Sequence, residues 1–582
     1  MSVTRQLEQT GLVGALRTFA RTRGDQPALT FLQYTTGTEH TARTHTYAET
    51  DRAAATVAAQ LQRRCGLGAR VAVICAHDFT YPAAFLGCLY ANRIAVPLPE
   101  VEARRKNDRI VSALLDAEPE VVLTNRAALD RTTEVAAAAG IPAAAICAVE
   151  DLLELPAPEW TDRTTPAAVA YLQYTSGSTG NPAGVRITHA NMTANARQIA
   201  GFATYLTPGA PMVSWVPFFH DLGLITGLVV PLSIGGHAIH LSPVAFVQSP
   251  YRWLKAISDY RSAWMVGPNF SYELSARRVT DEQKATLDLS CLLGLVSGGE
   301  AVRPNTQRVF ADAFAGCGLT ADLDAGAYGL AEATLCVTAR YDEDGRSVYH
   351  FDRAELTAGR VREREPGPDA RAMSSCGVPV EDVRVAIVDP DSGTEVAADE
   401  VGEIWVQGPN VAAGYWRQPA RTAEVFHGSF TDRDGEPVKG DWLRTGDIGF
   451  RHRELLFVVG RRKDLMIVNG RNHYPVDIEA TIESATLPCP IGESAVFSID
   501  RDDREQVVVV VEVRPRDVES PKLRALTEEA VRRVVSRAHG LELHDVLLTS
   551  RGAIPRTSSH KIQHSRCREK YLLGQLRRIN ER

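Results

Sequence analysis

No Cys-x-x-Cys pair and no His/Cys cluster at zinc-ligand spacing occurs among the ten cysteines of this chain. That excludes a zinc ribbon and a thioredoxin-like redox motif. The scattered cysteines suit reduced, mostly buried thiols, so a cytoplasmic protein is expected. A dense basic block is also missing: Lys and Arg number 64 against 71 Asp and Glu, for a formal net charge of −7. A nucleic-acid partner is therefore not expected. The first residues, Met1-Ser-Val-Thr-Arg-Gln-Leu-Glu-Gln, carry no apolar core of a signal peptide. No run approaches the roughly 18 apolar residues of a membrane helix, and the richest, 225–236, is interrupted by Gly and Pro. No membrane insertion is expected. A Walker A spacing, G-x-x-x-x-G-K-[ST], is also lacking.

What is present fits a large globular protein. The chain has 582 residues, 44% hydrophobic and 23% charged, enough for several sizeable cores. Amphipathic helical patterns cover 10–23 and 46–63, and then short apolar runs alternate with helical periods. Arg70–Cys75, Ala95–Leu98 and Glu120–Thr124 read as strands, and Tyr81–Ala91 and Glu102–Asp116 as helices. Apolar runs of this kind indicate buried parallel strands in a doubly wound α/β arrangement. Such sheets bind ligands beyond the carboxyl ends of their strands.

One of those ends carries the most informative stretch. A buried strand over Ala167–Tyr174 breaks into Thr175-Ser176-Gly177-Ser178-Thr179-Gly180, and a helix pattern resumes near His189. Gly and small hydroxyl residues let a backbone wrap an anion, with amides and hydroxyls as donors. A plain Gly/Ser turn is the competing reading. The stretch Tyr174-Thr-Ser-Gly-Ser-Thr-Gly-Asn-Pro-Ala-Gly-Val185 resembles the phosphate-binding motif of the adenylate-forming superfamily, which includes acyl-CoA synthetases, peptide-synthetase adenylation domains and fatty acyl-AMP ligases. The superfamily's usual Pro-Lys-Gly is here Pro182-Ala183-Gly184. Arg186 is a candidate to fill the vacant role, and a lysine restored at 183 is expected to be tolerated at a loop edge.

Further resemblances follow in the superfamily's order. Ser214-Trp-Val-Pro-Phe-Phe-His-Asp-Leu-Gly223 reads on its own as a helix start capped by Asp221. It resembles the aromatic-His motif that gates the acyl carboxylate, which makes His220 a catalytic candidate. Trp215, Phe218, Phe219, Met265, Gly267 and Asn269 are candidates to line an apolar acyl slot. Leu293-Gly-Leu-Val-Ser-Gly298-Gly299-Glu300 resembles the adenine-supporting strand. Asp324-Ala-Gly-Ala-Tyr328-Gly329-Leu-Ala-Glu332 resembles the motif that sets Tyr328 against the base and Glu332 on Mg²⁺. Trp442-Leu-Arg-Thr-Gly-Asp447 resembles the motif whose carboxylate accepts from both ribose hydroxyls, a task for a two-oxygen acceptor. Arg461 matches a ribose-contacting arginine, Lys463 the hinge, and Lys561 the catalytic lysine.

The implied architecture is α/β: a large N-terminal domain, 1–462, of doubly wound sheets plus a small β-rich subdomain, then a small mobile C-terminal α/β domain, 463–582. Period-two alternation at 383–388 and 402–408 marks the β-rich part, and strands near 493–499, 506–513 and 545–549 with a helix at 521–538 mark the last. Residues 341–372 are arginine-rich, polar and bracketed by Gly and Pro, which predicts a surface loop. They resemble the insertion that separates fatty acyl-AMP ligases from acyl-CoA synthetases. With Pro-x-x-His-Asp-x-Gly-Leu and Asn472-His-Tyr-Pro, this resemblance implies a fatty acyl-AMP ligase using ATP and Mg²⁺. Its substrate would be a fatty acid, and its acceptor an acyl carrier protein supplied in trans. An acyl-CoA synthetase and an aryl- or amino-acid-activating ligase share the same nucleotide motifs, and a non-catalytic adenylate-binding protein is the alternative outside enzymes.

Overall fold

The computed structural model describes residues 3–35, 37–101, 107–156, 160–162, 164–175, 183–300, 302–320, 324–339, 347–468, 471–501, 504–518, 520–556 and 561–579. A six-stranded sheet runs in the order Ile146–Ala148, Val121–Thr124, Arg70–Ile74, Ile94–Pro97, Val169–Thr175, Ala183–Thr188. Its neighbours are parallel except for the last pair. The strand Arg70–Ile74 is apolar at consecutive positions because both faces are covered. Val71 and Val73 enter one core, and Ala72 and Ile74 enter another on the opposite side. The helix Tyr47–Arg64 packs on the helix Thr80–Ala91, which lies on this sheet, and begins with a reciprocal capping box between Thr46 and Glu49.

Three parallel strands, Pro27–Tyr34, His237–Leu241 and Pro211–Ser214, form a second sheet, with His40–Thr46 antiparallel at its edge. Next to it stand Trp264–Gly267, Gly294–Ser297 and Asp324–Gly326, also parallel. The Val213 amide donates to Ser262 Oγ at 3.3 Å and ties the two sets together. A five-stranded antiparallel sheet, built on Arg384–Asp389, Gly402–Gln407, Leu443–His452 and Leu455–Arg461, supplies the β-rich part. The last unit has its own cores, formed by Ile491–Arg501, Arg504–Val513 and Leu543–Ser550 under the helices Pro475–Ser484 and Pro521–His539. Among the described residues no helix is long and apolar enough to cross a membrane.

The segment 341–372 departs from the expected surface loop. Its described part contains a strand, Val348–Asp352, paired antiparallel with Ala370–Ser374; residues 341–346 lie outside the described residues. Tyr349 and Phe351 are fully buried, with Phe351 edge-on to Phe450 and Phe457. Alternation is the reason: every second residue of Val348–Asp352 faces the core, while Arg353, Arg360, Arg362 and Arg364 lie beyond that strand and are not buried, and Arg371, opposite Phe351, is.

The hairpin also reaches the last unit. Arg371 Nε lies 2.6 Å from Asp477 Oδ1, donates from Nη2 to the Val459 carbonyl at 3.2 Å, and covers the Tyr474 ring. Burial opposes both charges, pushing the Asp477 carboxyl up and the Arg371 guanidinium down, and each partner offsets part of the other's shift.

Candidate active site

A cleft of about 2340 Å³ lies between the parallel sheets, the β-rich part and the last unit. Residues just past strand carboxyl ends line it: Gly298, Gly299 and Glu300 after Gly294–Ser297, and Ala327 to Gly329 after Asp324–Gly326. Gly329 is required there, since a Cβ would stand 1.7 Å from the Leu335 carbonyl oxygen. The loop Ser176–Gly180 lies outside the described residues, as do the side chains of Thr175 and Asp324. The strands flanking that loop are paired at Thr175 and Ala183.

Lys561 enters the cleft from the last unit and is half-buried there. Burial and then Arg461 lower its pKa, while Asp221, Glu300 and Asp447 act in the opposite sense. It therefore lies within the electrostatic reach of three carboxylates that all belong to the larger part of the chain. His220 heads the turn Asp221–Leu224, and its Nδ1 lies 2.7 Å from Asp221 Oδ1. The Leu222 amide is 2.7 Å from Asp221 Oδ1 but 3.4 Å from His220 Nδ1. The shorter contacts assign Nδ1–H as donor to Asp221. Asp221 is thus not the cap itself but the first residue of the turn. Burial alone would raise its carboxyl, yet His220, Lys561 and the Leu222 amide together hold it below the ordinary value.

Asp447 is held at both oxygens. Tyr328 Oη donates to Oδ2 at 2.8 Å and Arg461 Nε lies 3.3 Å from Oδ1. Two vicinal hydroxyls suit its remaining lone pairs. Lys463 sits in the turn Arg462–Asp464 that follows the strand ending at Arg461, and burial, then Arg461, lower its pKa. Glu300 Oε1 accepts the Asn269 amide at 2.8 Å. Arg303 of the larger part meets Glu483 of the last unit at 3.1 Å, and burial pushes that carboxyl up to about 7.

Glu332 lines the cleft beside Asp447 and Arg461. No group of three or more His, Cys, Asp or Glu able to hold a metal occurs among the described residues. One accessible carboxylate suits Mg²⁺ brought in on phosphates, since that ion keeps water and phosphate oxygens and takes only one or two protein carboxylates. The donor set fits such an ion and not a resident metal cage.

Of the acyl-slot candidates, Phe219 and Asn269 line the cleft, whereas Trp215, Phe218, Met265 and Gly267 do not. Trp215 stacks on Phe246 with centroids 4.1 Å apart, and Phe218 stacks on His77. On Trp264–Gly267 the alternation runs the other way from that expected: Trp264 and Val266 face the cleft, and Met265 and Gly267 face away. Ile199, Phe202, Leu222, Trp264, Val266 and Val296 form the apolar wall instead.

Ala183 opens the strand Ala183–Thr188 but does not face solvent. It is 1% exposed in the main core, on the face shared with Val185 and Ile187, while Arg186 points to the other face and does not line the cleft. Ala183→Lys is therefore expected to lower stability, by about 1–3 kcal/mol for overpacking alone and by more for the buried ammonium. Denaturant unfolding of the two proteins checks this; an unchanged midpoint would place the side chain in solvent.

Sequence reasoning missed Tyr415 and Arg421, which also line the cleft. Nothing local in the stretch Gly414-Tyr-Trp marks Tyr415, because its partner Glu332 is far away in sequence.

Residues 16–416 match the family described as AMP-binding enzyme, and residues 463–581 match one described as Disco-interacting protein 2-like, AMP domain. The chain is 39% identical to the 4-hydroxyphenylalkanoate adenylyltransferase of Mycobacterium marinum, over 97% of this chain and 92% of that protein. It is 38% identical to the long-chain-fatty-acid–AMP ligase FadD26 of Mycobacterium bovis, over 96% of each. Among solved structures it is similar to the fatty acyl-adenylate ligase from L. pneumophila in complex with acyl adenylate and pyrophosphate. That match has 33% identity and a TM-score of 0.73, covering 97% of this chain and 96% of that one.

Proposed function

The chain belongs to the AMP-binding enzyme family, and we infer that within it the protein is a fatty acyl-AMP ligase, an ATP-dependent enzyme that adenylates a fatty acid. One observation carries the reading: a lysine reaching from the last unit into a cleft that also holds the Tyr328–Asp447–Arg461 cluster and Glu332.

In the first step a carboxylate oxygen attacks the α-phosphorus of ATP, and acyl-AMP and pyrophosphate form. Little covalent help is needed, so positioning and charge neutralisation dominate. We assign Asp447 and Arg461 to the ribose, Tyr328 and the 298–300 turn to the base, and the Thr175–Gly180 loop to the phosphates. His220, oriented by Asp221, and Phe219 gate the carboxylate. The Lys561 ammonium neutralises charge where the new bond forms. Mg²⁺ on Glu332 supplies charge neutralisation at the phosphates when bound.

In the second step the phosphopantetheine thiol of a separate acyl carrier protein takes the acyl group. We propose a boundary between 462 and 463, supported by the second family match, which begins at 463, and by the separate cores of the last unit. Rotation about Lys463 then withdraws Lys561 from the cleft.

The 348–374 hairpin restrains that rotation through Arg371 and Asp477. Free CoA has no carrier surface with which to stabilise the rotated state, so its apparent affinity falls with that state's population. The intact protein is expected to acylate a holo carrier protein and to make little acyl-CoA. Mass spectrometry of products from ATP, a panel of acids, and either acceptor tests this, and efficient acyl-CoA formation would favour an acyl-CoA synthetase. The panel includes 4-hydroxyphenylalkanoates, because the relative named for them is as similar as the fatty-acid ligase.

Removing the hairpin would open the core around Tyr349 and Phe351, so the sharper variant is Asp477→Asn. Breaking a buried pair costs about 3–5 kcal/mol, and even ~1.4 kcal/mol shifts a two-state population tenfold. Acyl-CoA output is expected to rise about tenfold or more with adenylation largely kept. Unchanged output would free the hairpin of this role.

A further inference from the structure

Glu332 occupies a short turn, Ala331–Ala333, and a carboxylate on a turn is free to rotate unless something holds it. What holds it is the segment 412–416. The Ala412 amide donates to the Glu332 carbonyl at 2.9 Å, and Tyr415 Oη donates to Glu332 Oε1 at 2.8 Å.

That segment is itself fixed. The Arg186 amide donates to the Gly414 carbonyl at 2.8 Å, the Ala413 amide to Arg186 at 3.0 Å, and the Trp416 amide to Gly184 at 2.7 Å. It is therefore laid along Ala183–Thr188, the strand that leaves the Thr175–Gly180 loop. Gly414 has φ +108, and a Cβ there would lie 2.3 Å from Thr422 Cγ2, so the turn into Tyr415 needs glycine.

The Tyr415 ring is only 4% exposed. The Arg421 guanidinium lies 4.3 Å from its centroid on one side, and Phe426 stands edge-on at 5.2 Å. Burial and then Glu332 push the phenol up, so it remains a proton donor.

We propose that Tyr415 is a positioning residue for Glu332. By donating to Oε1 it fixes the rotation of the carboxylate and leaves Oε2 for a divalent cation carried by the nucleotide. The same segment ties the carboxylate to the strand leaving the phosphate loop, so cation and phosphates meet at a set spacing. Partners behind a metal-binding carboxylate typically govern about 10–100-fold in metal affinity. The proposal rests on the reading of Glu332 as the magnesium ligand.

The test uses the full chain with a non-hydrolysable ATP analogue and Mn²⁺ as the paramagnetic probe, read by electron paramagnetic resonance, for Y415F, E332Q and the double variant. Y415F keeps the ring and its packing. It is expected to weaken Mn²⁺ binding about tenfold and to raise the magnesium requirement for adenylation more than it lowers kcat, with an unchanged Tm. Adding Y415F to E332Q is expected to weaken binding no further, since the hydroxyl acts only through the carboxylate. If E332Q weakens Mn²⁺ binding and Y415F does not, the proposal is overturned. Equal loss from Y415F in both backgrounds overturns it too. Unaltered binding in E332Q removes the assignment of Glu332 and the proposal with it, an outcome distinct from the other two.

Discussion

Replacing Lys561 by Ala is expected to slow acyl-AMP formation by ~10²–10³, the scale for losing one preorganised electrostatic donor in a water-excluded site. The side chain is half-buried in the cleft, and Asp221, Glu300 and Asp447 favour its charged form against burial and Arg461. Thioester formation from supplied acyl-AMP is expected to change far less, because the proposed rotation of the last unit turns Lys561 away from the cleft before that step. Pre-steady-state measurement of each half-reaction separates the two. Equal losses in both would remove Lys561 from the adenylation step and make its place in the cleft a matter of interface packing.

Asp447→Ala is expected to raise the KM for ATP by at least ~10². Two charge-assisted hydrogen bonds of roughly 1.5–3 kcal/mol each are lost with the carboxylate, and 1.4 kcal/mol is a factor of about ten. The same change leaves the exposed Arg461 without its ion-pair partner and the buried Tyr328 Oη without its acceptor, and the unpaired buried donor costs about 1–3 kcal/mol of folded-state stability. Asp447→Asn separates these contributions: the amide oxygen can still accept from one neighbour while the charge is gone. Unfolding midpoints are expected to move little beside the change in KM. A KM for ATP that does not move in either variant would make Asp447 a turn residue held for the sheet's sake.

Much of this was legible without coordinates. The α/β alternation, the β-rich region and the last unit follow from periodicity, because a strand buried on both faces must be apolar throughout and a half-buried one must alternate. The strands expected at 493–499 and 506–513 lie within Ile491–Arg501 and Arg504–Val513. Site residues recognised by motif were legible for a related reason: Asp447, Tyr328, Glu332 and Lys561 each carry a local signature, and the fold brings all four to one cleft.

Other features depended on partners remote in sequence. Composition presented 341–372 as a solvated loop, whereas Phe351 is buried because Phe450 and Phe457 lie beneath it. A strand as short as Trp264–Gly267 can turn either face to a cleft with the same four residues, so the apolar wall of the cleft follows from the elements packed around it. Ala183 reads as a loop residue until the Thr175–Ala183 pairing puts it in a core. Tyr415 acquires a role only because a turn 83 residues earlier comes within hydrogen-bond distance. The sequence by itself determined the family, the order of elements and the chemical groups available for adenylation, since each depends on local pattern. The tertiary structure alone decided which face of a strand meets the cleft, which arginine pairs with the last unit and which tyrosine bonds to Glu332, because each is a contact between segments that local pattern cannot bring together.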